Sequence, residues 1–358
     1  MEDFRILAIN PGSTSTKIAV YQNANPIFVK SISHPSEEIA RFEHVADQFH
    51  FRKEIIYKEL EDAEIQLDKI QAVVGRGGML KPIASGVYLV NEAMKSDLHE
   101  RPIKEHASNL GGLIADEIAR ELPNAKAYIA DPVVVDELDE IARVSGHPQF
   151  RRISIFHALN QKAIARQHAK SIMKAYEDLN LIVVHMGGGI TVGAHCKGRV
   201  IDVNQGLDGE GPFSPERSGT LPTGDLVRFC FSGRNTEKEI IKMVVGSGGM
   251  VAYLGTNSAY EAEQLARNGS EKALFILEAM AYQVAKSIGA MVPVLKGDVD
   301  AILLTGGVAH NKLVTNYIIE RVYRFAPVLI YPGEDEMRAL AMNGLMVLKG
   351  EVEAKEYV

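Results

Sequence analysis

The sequence predicts an α/β protein made of two duplicated domains, each built on a mixed β-sheet. Three observations point there. Two strand meanders of one plan recur about 175 positions apart, a period that means duplicated domains and not a solenoid. Each meander gives way to alternating helical and strand-like segments. The 358 residues are enough for about two domains at roughly 150 residues each.

In the first meander "RILAIN" reads as a short buried strand, "TKIAVYQ" as a second and "PIFVKSIS" as a third, with turns at "PGSTS" and "NAN". Helices are expected over 52–65 and 103–122 around the strand "AVVGR", and "AYIAD" closes the series at Asp131. The second meander is "LIVVHM", "TVGAHC" and "RVIDVN", with "GGG" and "KG" at its turns. A long helix near 269–297, the strand "DAILLTGG", a helix from about 309, the strand "PVLIYP" and a last helix from Asp335 complete it. The stretch 140–155, with "SGHPQ", is the expected boundary. That gives a first domain at 1–150 and a second at 151–334, with 335–358 expected to pack back on the first. Ligands of such sheets collect at the carboxyl ends of strands, and two domains facing each other make a cleft.

Composition narrows the function. Apolar residues make up 46% and charged residues 24% with mixed sign, the profile of a globular, soluble chain. Cys196 and Cys230 are the only cysteines and no leader pattern opens the sequence, so a reducing cytoplasm is expected. No apolar run approaches the roughly 18 residues that span a bilayer, so no membrane role is expected. A net charge of −7 argues against nucleic-acid binding. An anionic ligand would then need a local set of donors.

"NPGSTS" offers one. Gly12 permits close backbone approach and positive φ, and the amides and hydroxyls of Ser13, Thr14 and Ser15 are potential donors to phosphate oxygens. Lys17 adds charge from the next strand. Thr16 and Ile18 flank that lysine where a Walker loop has Gly and Ser or Thr, and "GGGITVG" lacks dinucleotide-fingerprint spacing. Alone, either loop reads first as a plain hairpin turn; as a matched pair they could grip a polyphosphate from both sides. Gly306 and Gly307 sit between strand and helix, where a base or ribose could slide against bare backbone, or where a strand and helix merely pack tightly.

Together "INPGSTSTK", "VVHMGGG" and "ILLTGGVAHN" resemble the two phosphate segments and the adenosine segment of the acetate and sugar kinase, heat-shock protein 70 and actin superfamily. "VVGRGG", "DPVVVDE", "FHALNQKA" and "SPERSGTLPTGDL" make the chain similar to the acetate kinase family, most closely its butyrate and branched-chain fatty acid kinases. The resemblance implies two ribonuclease H-like domains of the actin-like ATPase fold around a central cleft. It implies ATP and ADP as ligands with Mg2+, a short-chain carboxylate or acyl phosphate as the other substrate, and self-association. Asn10, Gly12, Ser13, Ser15 and Lys17 would hold the terminal phosphates, His185 and Gly187 to Gly189 the inner ones, and Gly306, Gly307 and Asn311 the nucleoside side.

Arg217 matches the family's catalytic arginine, and a guanidinium fork suits planar oxyanions. His157 resembles the histidine that steadies the transferring phosphoryl group, and His106 a second active-site histidine; each is otherwise a helix cap or gap filler. Asp131 matches the active-site aspartate and Glu336 the acid near the metal, and both are candidate metal acids, against a helix cap and a first-turn dipole partner. Arg76 stands a few positions from the family's other substrate arginine, where this chain has Ala72, so a substrate contact and a rebuilt pocket both stay open. Two rivals remain: a kinase for acetate, propionate or a sugar, and a nucleotide-driven chaperone or actin-type module.

Overall fold

The computed structural model describes residues 3–100 and 105–358. The chain divides into two compact units, Met1–Val135 with Asp335–Val358, and Asp136–Glu334.

In the first unit β1 (Arg5–Pro11), β2 (Ser15–Gln22), β3 (Asn25–Ser33), β4 (Ile70–Arg76), β5 (Val87–Leu89) and β6 (Lys126–Ala130) form one sheet in the order β3-β2-β1-β4-β6-β5. β1 pairs antiparallel with β2 and parallel with β4, which pairs parallel with β6. Ile6 to Ile9 are fully buried in succession, as expected of a strand covered on both faces. Helices Asn109–Glu121 and Glu336–Leu348 both pack on β1 and β4.

The expected helix 52–65 is Phe49–Asp62. The one expected over 103–122 begins only at Asn109; 103 and 104 lie outside the described residues, 105 and 106 are irregular, and 107–108 form a turn. The cause is local: the backbone N–H of Ser108 donates to His106 Nδ1 at 3.2 Å, offering the chain an alternative to the helical ladder. The three-residue β5, antiparallel to β6, is too short to show a period in the sequence.

The second unit repeats the plan. β7 (Asn180–Met186), β8 (Ile190–Cys196), β9 (Arg199–Val203), β10 (Ala301–Gly306) and β11 (Val328–Pro332) run in the order β11-β10-β7-β8-β9. The meander β7-β8-β9 is antiparallel, and β10 is parallel to β7 and β11. Helix Glu271–Val294 packs on β7 and β8, burying Ile276, Leu277, Met280, Val284 and Ile288 at helical spacing. This helix corrects one expectation, because among the described residues it is long and apolar enough to cross a membrane. Its apolar side belongs to the unit's own core.

Candidate active site

The first hairpin loop is shaped from behind by a residue the motif does not include. Arg52, on helix Phe49–Asp62, is fully buried. Its Nη1 donates to the carbonyls of Gly12 at 2.8 Å and Ser15 at 3.1 Å, and its Nη2 to that of Ser13 at 3.1 Å. Gln48 Oε1 takes two more of its N–H groups, and Thr16 Oγ1 lies 3.0 Å from Nη1. Among the described residues no carboxylate pairs with Arg52, so the loop carbonyls and Gln48 solvate its charge. Burial pulls its pKa down to about 10, which leaves it protonated at neutral pH. Ser13 turns its carbonyl to Arg52 and Thr14 turns its own to the His34 N–H, and both residues stand exposed. Behind the same loop His34 Nε2 meets Thr16 Oγ1 at 2.8 Å. Burial, and then the neighbouring Arg52 charge, push the His34 pKa down to about 4.

Gly12 does not adopt positive φ, contrary to the sequence expectation. A Cβ there would lie 3.4 Å from the Ser15 oxygens, an ordinary contact. The turn needs no left-handed residue because the Gly12 N–H already donates to the Ser15 carbonyl at 2.7 Å. Lys17 is exposed on β2, in register with Asn10 on β1.

Three expected residues converge at the ends of β1 and β4. Asn10 Nδ2 donates to Glu336 Oε2 at 2.5 Å, and Arg76 Nη1 donates to the same oxygen at 3.0 Å and to Asn10 Oδ1 at 3.2 Å. Glu336 is the first residue of the last helix, which brings it from the far end of the sequence onto β1. Arg76 is thereby tied to a carboxylate of its own chain. Asp131 is buried at positive φ after β6, and its Oδ1 accepts from Ser85 Oγ at 2.6 Å and the Gly86 N–H at 2.9 Å. It caps a loop and not a helix. His106 is exposed on the turn before helix Asn109–Glu121, with Ser108 Oγ 2.8 Å from its Nδ1.

In the second unit Arg217 lies directly on the glycine turn. A Cβ at Gly189 would fall 1.9 Å from Arg217 Nη1, so only glycine admits the guanidinium there. Nη1 also donates to the Gly206 carbonyl. Burial lowers the Arg217 pKa, opposed by the charges of Glu216 and Asp208. Ser214 fastens the loop pair, donating from Oγ to the Gly188 carbonyl at 2.6 Å and accepting from the Arg217 N–H at 3.1 Å. Gly187 and Gly189 are buried and Gly188 is exposed.

Beside this turn the rings of His157 and His185 stack at 3.8 Å between centroids, 11° from parallel. His157 stands at the N-cap of helix Ala158–Ser171, yet its side chain makes no capping bond. Its Nδ1 instead lies 3.0 Å from Thr191 Oγ1. His185 Nδ1 meets Asn160 Oδ1 at 2.8 Å, and its Nε2 lies 3.3 Å from Glu334 Oε1, an acid that no motif flagged. Gly306 has φ of 93°, and a Cβ there would also lie 2.3 Å from the Met186 carbonyl oxygen, whereas Gly307 faces open space. Asn311 is buried and caps helix Lys312–Val322, accepting from the N–H groups of Leu313 and Val314 and donating to the Ala259 carbonyl. That work explains an asparagine at this position without a nucleotide.

Two sheets of matching order, each ending its central strand at a polar turn, define a protein of the actin-like ATPase fold. The acetate kinase of Porphyromonas gingivalis shares that fold with a TM-score of 0.77 at 19% identity, over 96% of this chain and 100% of that one. A family model described as the Acetokinase family matches residues 147–329. Butyrate kinase 2 of Clostridium acetobutylicum is 56% identical over 354 residues, 99% of either chain. Butyrate kinase 1 of the same organism is 57% identical over the same length and coverage. The chain belongs to the acetokinase family.

Proposed function

We propose that this chain is an ATP-dependent carboxylate kinase that moves the γ-phosphoryl group of ATP reversibly onto butyrate or a branched short-chain acid, giving an acyl phosphate and ADP. Full-length likeness to two butyrate kinases supports the acceptor class. The observation that carries the chemistry is the Arg217 guanidinium laid on the Gly187–Gly189 turn. Transfer brings a carboxylate and a polyphosphate together, and the transition state spreads negative charge over the equatorial phosphoryl oxygens. A largely buried cation fixed at an anion-binding turn opposes that charge in a low dielectric.

Each residue's part follows from its surroundings. Ser13, Ser15 and Lys17 offer donors to the terminal phosphates, with Asn10 at the strand end behind them. Gly187 to Gly189 take inner phosphate oxygens, and Gly307 leaves room for the nucleoside. His157 donates to the moving phosphoryl group, and Asp131 acts from behind by holding Ser85 and Gly86 in place. Arg76 holds Glu336 in orientation and turns to a substrate carboxylate only by leaving it.

Magnesium prefers one or two carboxylates completed by waters and phosphate oxygens. Glu336 fits: Oε2 is taken by Asn10 and Arg76, while Oε1 has no partner among the described residues. When bound, the ion would neutralise phosphate charge. A cytoplasmic setting and self-association belong to the same reading. Both cysteines are unpaired, and Phe231, Ile241 and Met243 form exposed apolar surface.

Trapping the acyl phosphate with hydroxylamine, across acids of increasing chain length with ATP and Mg2+, tests the proposal. Most hydroxamate is expected with butyrate and its branched relatives. A maximum at acetate or propionate would move the acceptor, and ATP hydrolysis with no acid giving product would favour a nucleotide-driven binding module.

A further inference from the structure

We propose that a buried chain of Tyr176, His195, Gln161 and Thr191 holds His157 as the tautomer protonated on Nε2, so that this nitrogen is a committed donor to the phosphoryl group. The inference rests on the part given above to His157.

The donor and acceptor roles follow from one end. Gln161 Nε2 lies 3.1 Å from the Thr191 backbone carbonyl, which can only accept, so the amide nitrogen must face it. Its second N–H then goes to Thr191 Oγ1 at 2.8 Å. Thr191 is fully buried. Among the described residues its hydroxyl meets only Gln161 Nε2 and, at 3.0 Å, His157 Nδ1. Having accepted from Gln161, it has one place for its own proton, the bare Nδ1 of His157. A neutral imidazole with Nδ1 accepting carries its proton on Nε2.

The far end locks the amide orientation. Gln161 Oε1 faces His195 Nε2 at 2.9 Å and can only accept, so His195 Nε2 carries a proton. His195 is fully buried, and burial together with the charges of Lys162 and Arg166 drives its pKa well below the usual value. The neutral ring therefore has a bare Nδ1, which takes the Tyr176 hydroxyl at 2.6 Å. Position 193 is glycine for the same reason: a Cβ there would lie 2.5 Å from Gln161 Oε1 and 3.2 Å from His195 Nε2. Gln161 and its companions are positioning residues, acting on the phosphoryl group only through His157.

The test uses the full chain labelled with nitrogen-15 histidine, with His157 assigned by the loss of its signals in His157→Gln. Two-bond nitrogen–proton correlations should show His157 protonated on Nε2 in the wild type at neutral pH. Gln161→Glu places an acceptor where the amide donated. The Thr191 proton should turn to it, Thr191 Oγ1 should accept from His157 Nδ1–H, and the tautomer should reverse. With a lone pair facing the phosphoryl oxygens, kcat should fall on the order of a hundredfold while the KM for ATP stays within about threefold. A wild-type His157 protonated on Nδ1 would overturn the proposal. So would Gln161→Glu with an unchanged tautomer, or with a reversed tautomer and unchanged kcat. Should Gln161→Glu not fold, the wild-type spectrum and that of Thr191→Val, expected to lose the single tautomer, still decide. The spectra need no substrate, so an error in the acceptor acid would show in the hydroxamate series and not here.

Discussion

The two glycine-bearing hairpin turns descend from central strands of the same sheet plan, yet an arginine serves them in opposite ways. At the β1–β2 turn Arg52 lies beneath the loop, with its fork closed on backbone carbonyls and Gln48. At the β7–β8 turn Arg217 lies on the glycines, and a serine hydroxyl does the fastening. A polar turn thus needs both a scaffold for its carbonyls and a field for its anion. The first loop takes both from one buried cation, and the second divides them between Ser214 and Arg217.

That contrast can be broken experimentally. Arg52→Met should cost most, on the order of 3–5 kcal/mol, because each buried acceptor left unpaired costs about 1–3 kcal/mol. A fall of roughly 10 °C in Tm should accompany it, given about 2–4 °C per kcal/mol in domains of this size; an unchanged melting curve would remove Arg52 from the scaffold. Arg217→Ala should leave folding and nucleotide binding nearly intact while turnover drops about a hundredfold to a thousandfold. Gly189→Ala should show the same split, since its methyl would displace the guanidinium; normal turnover in either would reject the field role.

The pH response sharpens the account of the first loop. His34 has a folded pKa of about 4 against an ordinary 6.5, so the unfolded chain binds more protons between those values. Its contribution is complete above pH 6.5 and is lost as pH falls toward 4, up to about 3 kcal/mol at about 1.4 kcal/mol per pK unit. His34→Gln, which can still reach Thr16, should flatten the Tm against pH over that window; an identical slope would locate the acid sensitivity elsewhere. Ser214→Ala should matter least, about 1 kcal/mol of stability for a lost hydrogen bond. Turnover should fall less than about tenfold, and a loss as deep as that of Arg217→Ala would mean that the hydroxyl holds the guanidinium itself.

Much of this was legible in the sequence, and the remainder was hidden for identifiable reasons. The duplicated meanders, the parallel strands after them and the last helix at Asp335 could be read because apolar runs and turn residues are local signals. Arg52 could not, since in sequence it is one basic residue on a helix, and only tertiary placement turns its fork to a loop 40 positions away. Gln161, Thr191 and His195 stayed silent for a related reason: a hydrogen-bond relay between one strand and a helix has no spacing signature. Asn311 shows the converse. The motif singled it out, and its geometry is that of a helix cap, which any strand-to-helix turn could need.

The last helix also sets an order of events. Glu336–Leu348 packs on β1 and β4, strands made more than 250 residues before it, and carries the acid that Arg76 and Asn10 meet. While a ribosome is still making the second unit, the apolar flank of the first sheet lacks its cover and Arg76 its counter-ion. The unit begun earliest is completed latest, so its nascent form is the one that most needs shelter from aggregation.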